Sequence, residues 1–255
     1  MWPFKKKSKV PEIQNKAQGI PQQNIDGIFA DFLSADHNKV YPAKLIIEDL
    51  VKNNAPFGSE YDLEQMAITG RLLQINSPLA AEVYLKFIQE HYIGSKIEPM
   101  IAYLSINGQA DKLISLLGEN RINTKITRQN RDILISNLVR FCINTNNHVL
   151  ALSLVESFIE EDNRVEMVYG VGMERPFAEL LSNNGEDPLI AALKKSNGYN
   201  QIELLCRALE DCGTNKAMNY LTSKNFPNFT RPNSTFTSRE MAGVSADRIK
   251  SRISA

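Results

Sequence analysis

The residue types that most often perform catalysis are sparse and scattered in this sequence. The three histidines, His37, His91 and His148, are far apart, and each falls near a predicted helix end, where a histidine commonly binds a carbonyl or faces water. There is no His-Glu-x-x-His motif, no Gly-x-x-x-x-Gly-Lys loop, no Gly-x-Ser-x-Gly motif and no Cys-x-x-Cys pair. The sequence therefore predicts no catalytic residue, no bound cofactor and no metal site.

The three cysteines do not form a disulfide framework. Cys142 and Cys206 lie among apolar residues, where a free thiol behaves as a small hydrophobic side chain. Cys206 and Cys212 have no histidine nearby in sequence, so metal ligation is disfavoured. This cysteine usage favours a reducing compartment.

One segment, residues 165–176, is the place where we expect a pocket if the protein is an enzyme. Gly170 and Gly172 follow an apolar run and precede a predicted helix, as in half of a dinucleotide-binding fingerprint. The third glycine position holds Arg175, so a bend between two helices is the favoured interpretation. A buried carboxylate facing a cleft near Glu174 and Arg175 would favour an enzyme, and an exposed bend would argue against one.

The chain of 255 residues has a net charge of zero, but its charges are unevenly distributed. Residues 1–16 carry five lysines and one glutamate, and residues 225–255 carry five basic and two acidic residues. The remaining 19 basic and 26 acidic residues give the body a net charge of −7 between two basic ends. Acidic groups such as Glu210-Asp211 are most simply solvated helix ends, although they could also contact a basic partner.

The N-terminal segment is the strongest candidate for a contact surface, and it combines aromatic and basic side chains. These are Trp2, Phe4, Lys5, Lys6, Lys7 and Lys9. Such residues favour weak binding to an anionic membrane surface, while the alternative is a solubilising arm without a specific role. Nucleic acid is a disfavoured partner because phosphate would repel the acidic body. No apolar stretch long enough for an export signal or a membrane-spanning helix is found.

The C-terminal segment is predicted to be an extended tail, residues 225–255, with a short amphipathic helix over Ser238–Ile253. Its apolar side chains are unusual in an otherwise polar tail, and we expect them to bind grooves of another subunit. The alternative is a frayed terminus. The candidate partner-binding residues are Phe226, Phe229, Phe236, Met241, Ile249 and Ile253.

Between the ends, apolar residues recur with helical spacing and no strand-like alternation is convincing. A second helix is predicted to begin near Pro42 and to bury Leu45 and Ile46, and a helix that begins after Thr127 is predicted to lie at the centre of the core. The sequence predicts an all-α fold of about twelve helices, an irregular α-solenoid or orthogonal array. The expected organisation is a flexible basic arm over residues 1–23, one helical domain over residues 24–224, and the flexible basic tail.

The function predicted from these observations is a non-catalytic adaptor or structural subunit of a larger cytoplasmic or membrane-proximal assembly, of a bacterial kind. Its partners would be other protein subunits bound through helical surfaces and the C-terminal tail, with no small-molecule ligand inferred. Two alternatives stay open: a peripheral membrane protein acting through residues 2–9, and an enzyme with a site near residues 165–176.

Overall fold

The computed structural model describes residues 22–54, 77–90, 97–118, 128–158, 172–231 and 234–255. These ranges contain twelve α-helices, which confirms the predicted all-α fold, while a solenoid arrangement stays a prediction. An isolated antiparallel bridge joins Thr230 and Thr237. The helices are α1 (Gln22–Leu33), α2 (His37–Asn54), α3 (Ala80–Glu90), α4 (Glu98–Ile106), α5 (Ala110–Gly118), α6 (Arg128–Thr145), α7 (His148–Glu156), α8 (Glu174–Ser182), α9 (Glu186–Lys195), α10 (Tyr199–Cys212), α11 (Asn215–Leu221) and α12 (Ser238–Ile253).

Side-chain caps determine where several of these helices begin. The Asn147 side chain accepts a hydrogen bond from the backbone N–H of Leu150 at the start of α7, and Thr214 caps α11 in the same way. Thr237 and Glu240 form a reciprocal capping box at α12. Because each cap satisfies a backbone donor that the helix itself leaves unpaired, these short polar residues fix the helix boundaries.

The hydrophobic core is one contiguous cluster in which α6 and α10 contribute fully buried rows. On α6 the buried residues include Leu134, Leu138 and Cys142, whereas Phe141 and Ile143 are half-buried. The prediction that this helix lies in the core is confirmed. Burial on both sides of a helix requires neighbours on both sides, and α4 and α7 both pack against α6.

The structure corrects the predicted register of α2. Asp36 precedes the helix, and its side chain accepts a hydrogen bond from the N–H of Asn38 at 3.0 Å, so α2 begins before Pro42, which lies inside the helix. This earlier start turns Ile47 toward the core and leaves Leu45 46 % exposed. A proline suits the first turn of a helix, but here the aspartate cap upstream decides where α2 begins.

The structure also corrects the expectation that the C-terminal segment extends away from the body. The helix over Ser238–Ile253 has the predicted bounds, but α12 packs against α10 and α11. Phe226, Met241 and Ile249 are buried, Phe229 and Phe236 are half-buried against the core, and Ile253 is exposed. The apolar side chains of this segment therefore contact their own chain, because together they complete the core around α10.

Candidate functional site

A cleft of about 360 Å³ lies between α8, α10 and α12. Its lining combines residues that are far apart in sequence, and most of them are charged. The lining residues are Gly172, Glu174, Arg175 and Ala178 from α8 and the turn before it, Arg207 and Glu210 from α10, and Arg248 from α12. The segment that the sequence singled out for a pocket therefore forms one wall of a cleft.

Arg207 joins α8 to α10 through two carboxylates. Its Nε lies 2.5 Å from Oε1 of Glu174, and its Nη2 donates to Oε1 of Glu203 at 2.9 Å. Glu203 and Arg207 are one helical turn apart on α10, which places them on the same face. Burial raises the pKa of Glu174, and the nearby Arg207 opposes that rise. A carboxyl group whose pKa is raised by burial is a candidate for general acid–base chemistry.

Arg175 makes a second bridge between the same two helices. Its Nε donates to Oε1 of Glu179 and its Nη2 donates to Oδ1 of Asp211, both at 2.8 Å. The pair with Glu179 lies within α8, whereas the pair with Asp211 reaches the end of α10. The guanidinium is thus oriented by two carboxylates, although the arginine side chain is mostly exposed.

Glu210 holds α12 in place, and it is the buried carboxylate of the cleft. It is 8 % exposed, and it accepts hydrogen bonds from Ser245 Oγ and from Arg248 Nη1, each at 2.7 Å. Arg252 donates from Nε to the Glu210 backbone carbonyl at 2.9 Å and from Nη2 to the carbonyl of Gly213. The prediction that Glu210 is a solvated helix end is wrong, because α12 covers it and supplies its partners.

The cleft shows which functional candidates the sequence could and could not reveal. Gly172, Glu174 and Arg175 were singled out from one continuous segment. Arg207 and Arg248 were missed because they reach the cleft from separate helices, and helical spacing within one segment carries no sign of this meeting. The signal in the sequence was a helix that carries the acidic residues Glu203 and Glu210 between apolar residues that are buried.

A second recess, a groove of about 340 Å³, lies where the turn between α4 and α5 meets the turn between α6 and α7. Its lining includes Phe141, Leu150 and the exposed side chain of Val149. Among the described residues that line the groove, Asp111 carries a charge. Val149 is 62 % exposed and Ile106, on the last turn of α4, is 45 % exposed. We call this recess the hairpin groove, and it offers an apolar surface beside a carboxylate.

The other candidate residues fall in different places. The six N-terminal residues Trp2, Phe4, Lys5, Lys6, Lys7 and Lys9 lie outside the described residues, as do His91 and Gly170. His37 is exposed and His148 is half-buried, and neither lines the cleft. In the described ranges, no three histidine, cysteine or carboxylate side chains come together as a metal site.

Comparison with known proteins finds no matching family, no curated relative and no similar solved structure. Across the part of the chain that the structure describes, no helix is both long enough and apolar enough to cross a lipid bilayer. The functional interpretation therefore depends on the geometry of the cleft and of the hairpin groove.

Proposed function

We propose that the protein is an adaptor or structural subunit of a larger protein assembly, and that it binds a partner through the hairpin groove. The observation that supports this most directly is the exposure of Val149 beside the half-buried Phe141 in the lining of the groove. Apolar side chains clustered at a recess are typical of protein-binding surfaces, whereas isolated exposed apolar residues are ordinary. Arrays of helices commonly present such grooves to their partners.

The charge of the body indicates which partner chemistry fits. Asp111 lines the groove, and residues 17–224 carry a net charge of −7. A partner segment with an apolar side chain for the groove and a lysine or arginine for Asp111 would match both features. We therefore propose a basic, apolar protein segment as the occupant, in preference to an acidic one.

Site-specific cross-linking tests this proposal. A photo-reactive amino acid replacing Val149 is expected to cross-link a partner peptide that contains an apolar residue next to a lysine or arginine. In a chain without the photo-reactive residue, Val149→Glu and Asp111→Lys should each abolish capture of the partner. Val149→Glu would bury a charge in the interface, and Asp111→Lys would reverse the charge that attracts a basic partner. Asn144→Glu adds the same charge at an exposed position that does not line the groove, and it should leave capture unchanged. Capture that survives Val149→Glu, or a monomer without partners in its native source, would contradict the proposal.

An enzyme acting at the cleft is a second candidate, and one observation favours it. Glu174 lines the cleft with a half-buried side chain, and burial raises the pKa of its carboxyl group. A panel of hydrolysable esters, including phosphate esters, tests it with the full chain and with Glu174→Gln. Turnover that is lost in Glu174→Gln would establish this function, and equal background rates in both proteins would reject it.

Membrane association through residues 2–9 is supported by the composition of that segment alone. Flotation with vesicles that contain anionic lipid is the direct test. We expect the full chain to float at low salt and a chain without residues 2–9 to stay behind, because each basic residue near the surface contributes about 1 kcal/mol. Equal flotation of both proteins would reject this role.

A further inference from the structure

Two arginines of the cleft lining, Arg175 on α8 and Arg248 on α12, keep hydrogen-bond donors that no described residue uses. Arg248 uses Nη1 for Glu210. Arg175 uses Nε for Glu179 and Nη2 for Asp211. Among the described residues, no further bond is made by either guanidinium. Nε and Nη2 of Arg248 and Nη1 of Arg175 are thus left to a ligand or to water.

The carboxylates around the cleft orient these arginines and are themselves occupied. Glu210 accepts from both Ser245 and Arg248, and Glu174 is paired with Arg207. Each of these two carboxylates is therefore paired with an arginine. Guanidinium groups that are held in place before a ligand arrives lose less conformational entropy on binding it, which favours affinity.

We propose that the cleft binds the phosphate group of a small molecule, with Arg248 and Arg175 as the binding residues. The Nε–Nη edge of an arginine matches two oxygens of a phosphate, and the edge of Arg248 is the one left over. A phosphate dianion can also accept from Arg175 across the cleft, since its oxygens point in four directions. The cleft volume of about 360 Å³ is suited to a small ligand.

Alternative ligands fit the cleft less well. The lining holds three guanidinium groups against two carboxylates, so a simple cation would meet more repulsion than attraction there. An apolar ligand would leave the charged lining without hydrogen-bond partners, which is costly. A singly charged carboxylate could satisfy Arg248 but offers fewer oxygens to Arg175. The doubly charged phosphate uses both arginines.

Titration calorimetry with inorganic phosphate tests the proposal, with the full chain at pH 8 and with chloride matching the ionic strength. Saturable binding is expected for the wild type, and Arg248→Gln and Arg175→Gln should each weaken it by about tenfold, the effect of losing a charge-assisted contact. Lys250→Gln removes the same charge from α12 at an exposed residue outside the cleft lining, so it should bind like the wild type. Binding that is absent, or that Lys250→Gln reduces as much as Arg248→Gln, would overturn the proposal.

Two additional measurements are needed. One distinguishes a lipid headgroup from a free phosphate ester, and the other distinguishes lost binding from an unfolded variant. Vesicles that contain phosphatidic acid and, separately, soluble glycerol phosphate are each added as competitors of inorganic phosphate. Only the small soluble ester is expected to displace phosphate from the cleft. Arg248→Gln leaves Glu210 with one partner fewer, so its circular dichroism and melting temperature are recorded without ligand. Arg175 is mostly exposed, and Arg175→Gln keeps the proposal testable if Arg248→Gln unfolds. Wild-type affinity in a folded Arg175→Gln variant would refute the role of that arginine.

Discussion

Glu210 offers a sharp test of how α12 is held on the body. In Glu210→Gln the side chain keeps its size but loses its charge, while Ser245 and Arg248 stay in place. Ser245 is fully buried, so its hydrogen bond to the carboxylate is shielded from water. The Arg248 side chain is 55 % exposed, so solvent screens its ion pair.

These exposures determine the expected magnitudes. A hydrogen bond to a charged group contributes about 1.5–3 kcal/mol, and an amide can replace only part of it. An exposed ion pair contributes about 0.2–1 kcal/mol. We therefore expect Glu210→Gln to lower the free energy of unfolding by about 2 kcal/mol, most of it from the Ser245 contact.

Urea unfolding of the single and double variants measures both contributions. The coupling free energy between Glu210→Gln and Ser245→Ala should exceed that between Glu210→Gln and Arg248→Gln, because only the first pair is buried on both sides. Hydrogen exchange of the α12 amides should accelerate in Glu210→Gln more than exchange in α6, which packs mainly against α4 and α7. The reasoning is refuted if Glu210→Gln changes stability by less than about 0.5 kcal/mol, or if Arg248 couples more strongly than Ser245.

Three other expectations concern the same half of the molecule. Gly213→Ala should destabilise the fold by about 1–3 kcal/mol in thermal unfolding, since an added Cβ would lie 2.7 Å from a backbone oxygen of α10 and 3.0 Å from Cδ1 of Ile249; an unchanged melting temperature would contradict this. Burial raises the pKa of Tyr199 to about 12, so this residue should contribute a loss of stability as the pH rises from about 10 toward 12. Burial also raises the pKa of Tyr84, Cys142 and Cys206, so Tyr199→Phe should reduce the alkaline loss of stability and not abolish it. The Tyr199 hydroxyl is buried and has no hydrogen-bond partner, so the same variant should not lower stability at pH 7. Burial raises the pKa of the Cys142 thiol to about 12 and also raises that of Cys206, so both should resist iodoacetamide at pH 8 until the protein is denatured, as mass spectrometry can show.

The sequence predicted the individual helices better than the contacts between them. Apolar spacing is a local signal, and it predicted the bounds of α12. The docking of α12 was not predictable in this way, because its buried face consists partly of small residues such as Ala242 and Ala246. Such residues give a weak apolar pattern, and the contact also depends on Glu210, which lies on a different helix.

The cleft could be predicted only in part for a related reason. Glu174 and Arg175 are adjacent in sequence, so one segment predicted both. Their partners are on α10, where Arg207 pairs with Glu174 and Asp211 pairs with Arg175. Glu210 of the same helix also lines the cleft. Helical periodicity indicates which face of a helix is apolar and does not indicate which charged side chains meet across two helices. The predicted register of α2 was wrong for a simpler physical reason. The cap at Asp36 starts the helix, and Pro42 lies inside it.

The pairing of Glu210 with α12 has a consequence for the order of events during synthesis. In the chain, α12 follows α10 after an interval that contains α11 and a long connection, so the ribosome releases α10 first. During this interval the Glu210 carboxylate lacks both Ser245 and Arg248, and the apolar face of α10 lacks its cover. We expect the side of α10 that faces α12 to stay hydrated until α12 emerges, although α8 and α9 can already pack against the rest of α10. A nascent chain stalled before Ser238 would expose this surface to chaperones, which bind unprotected apolar segments.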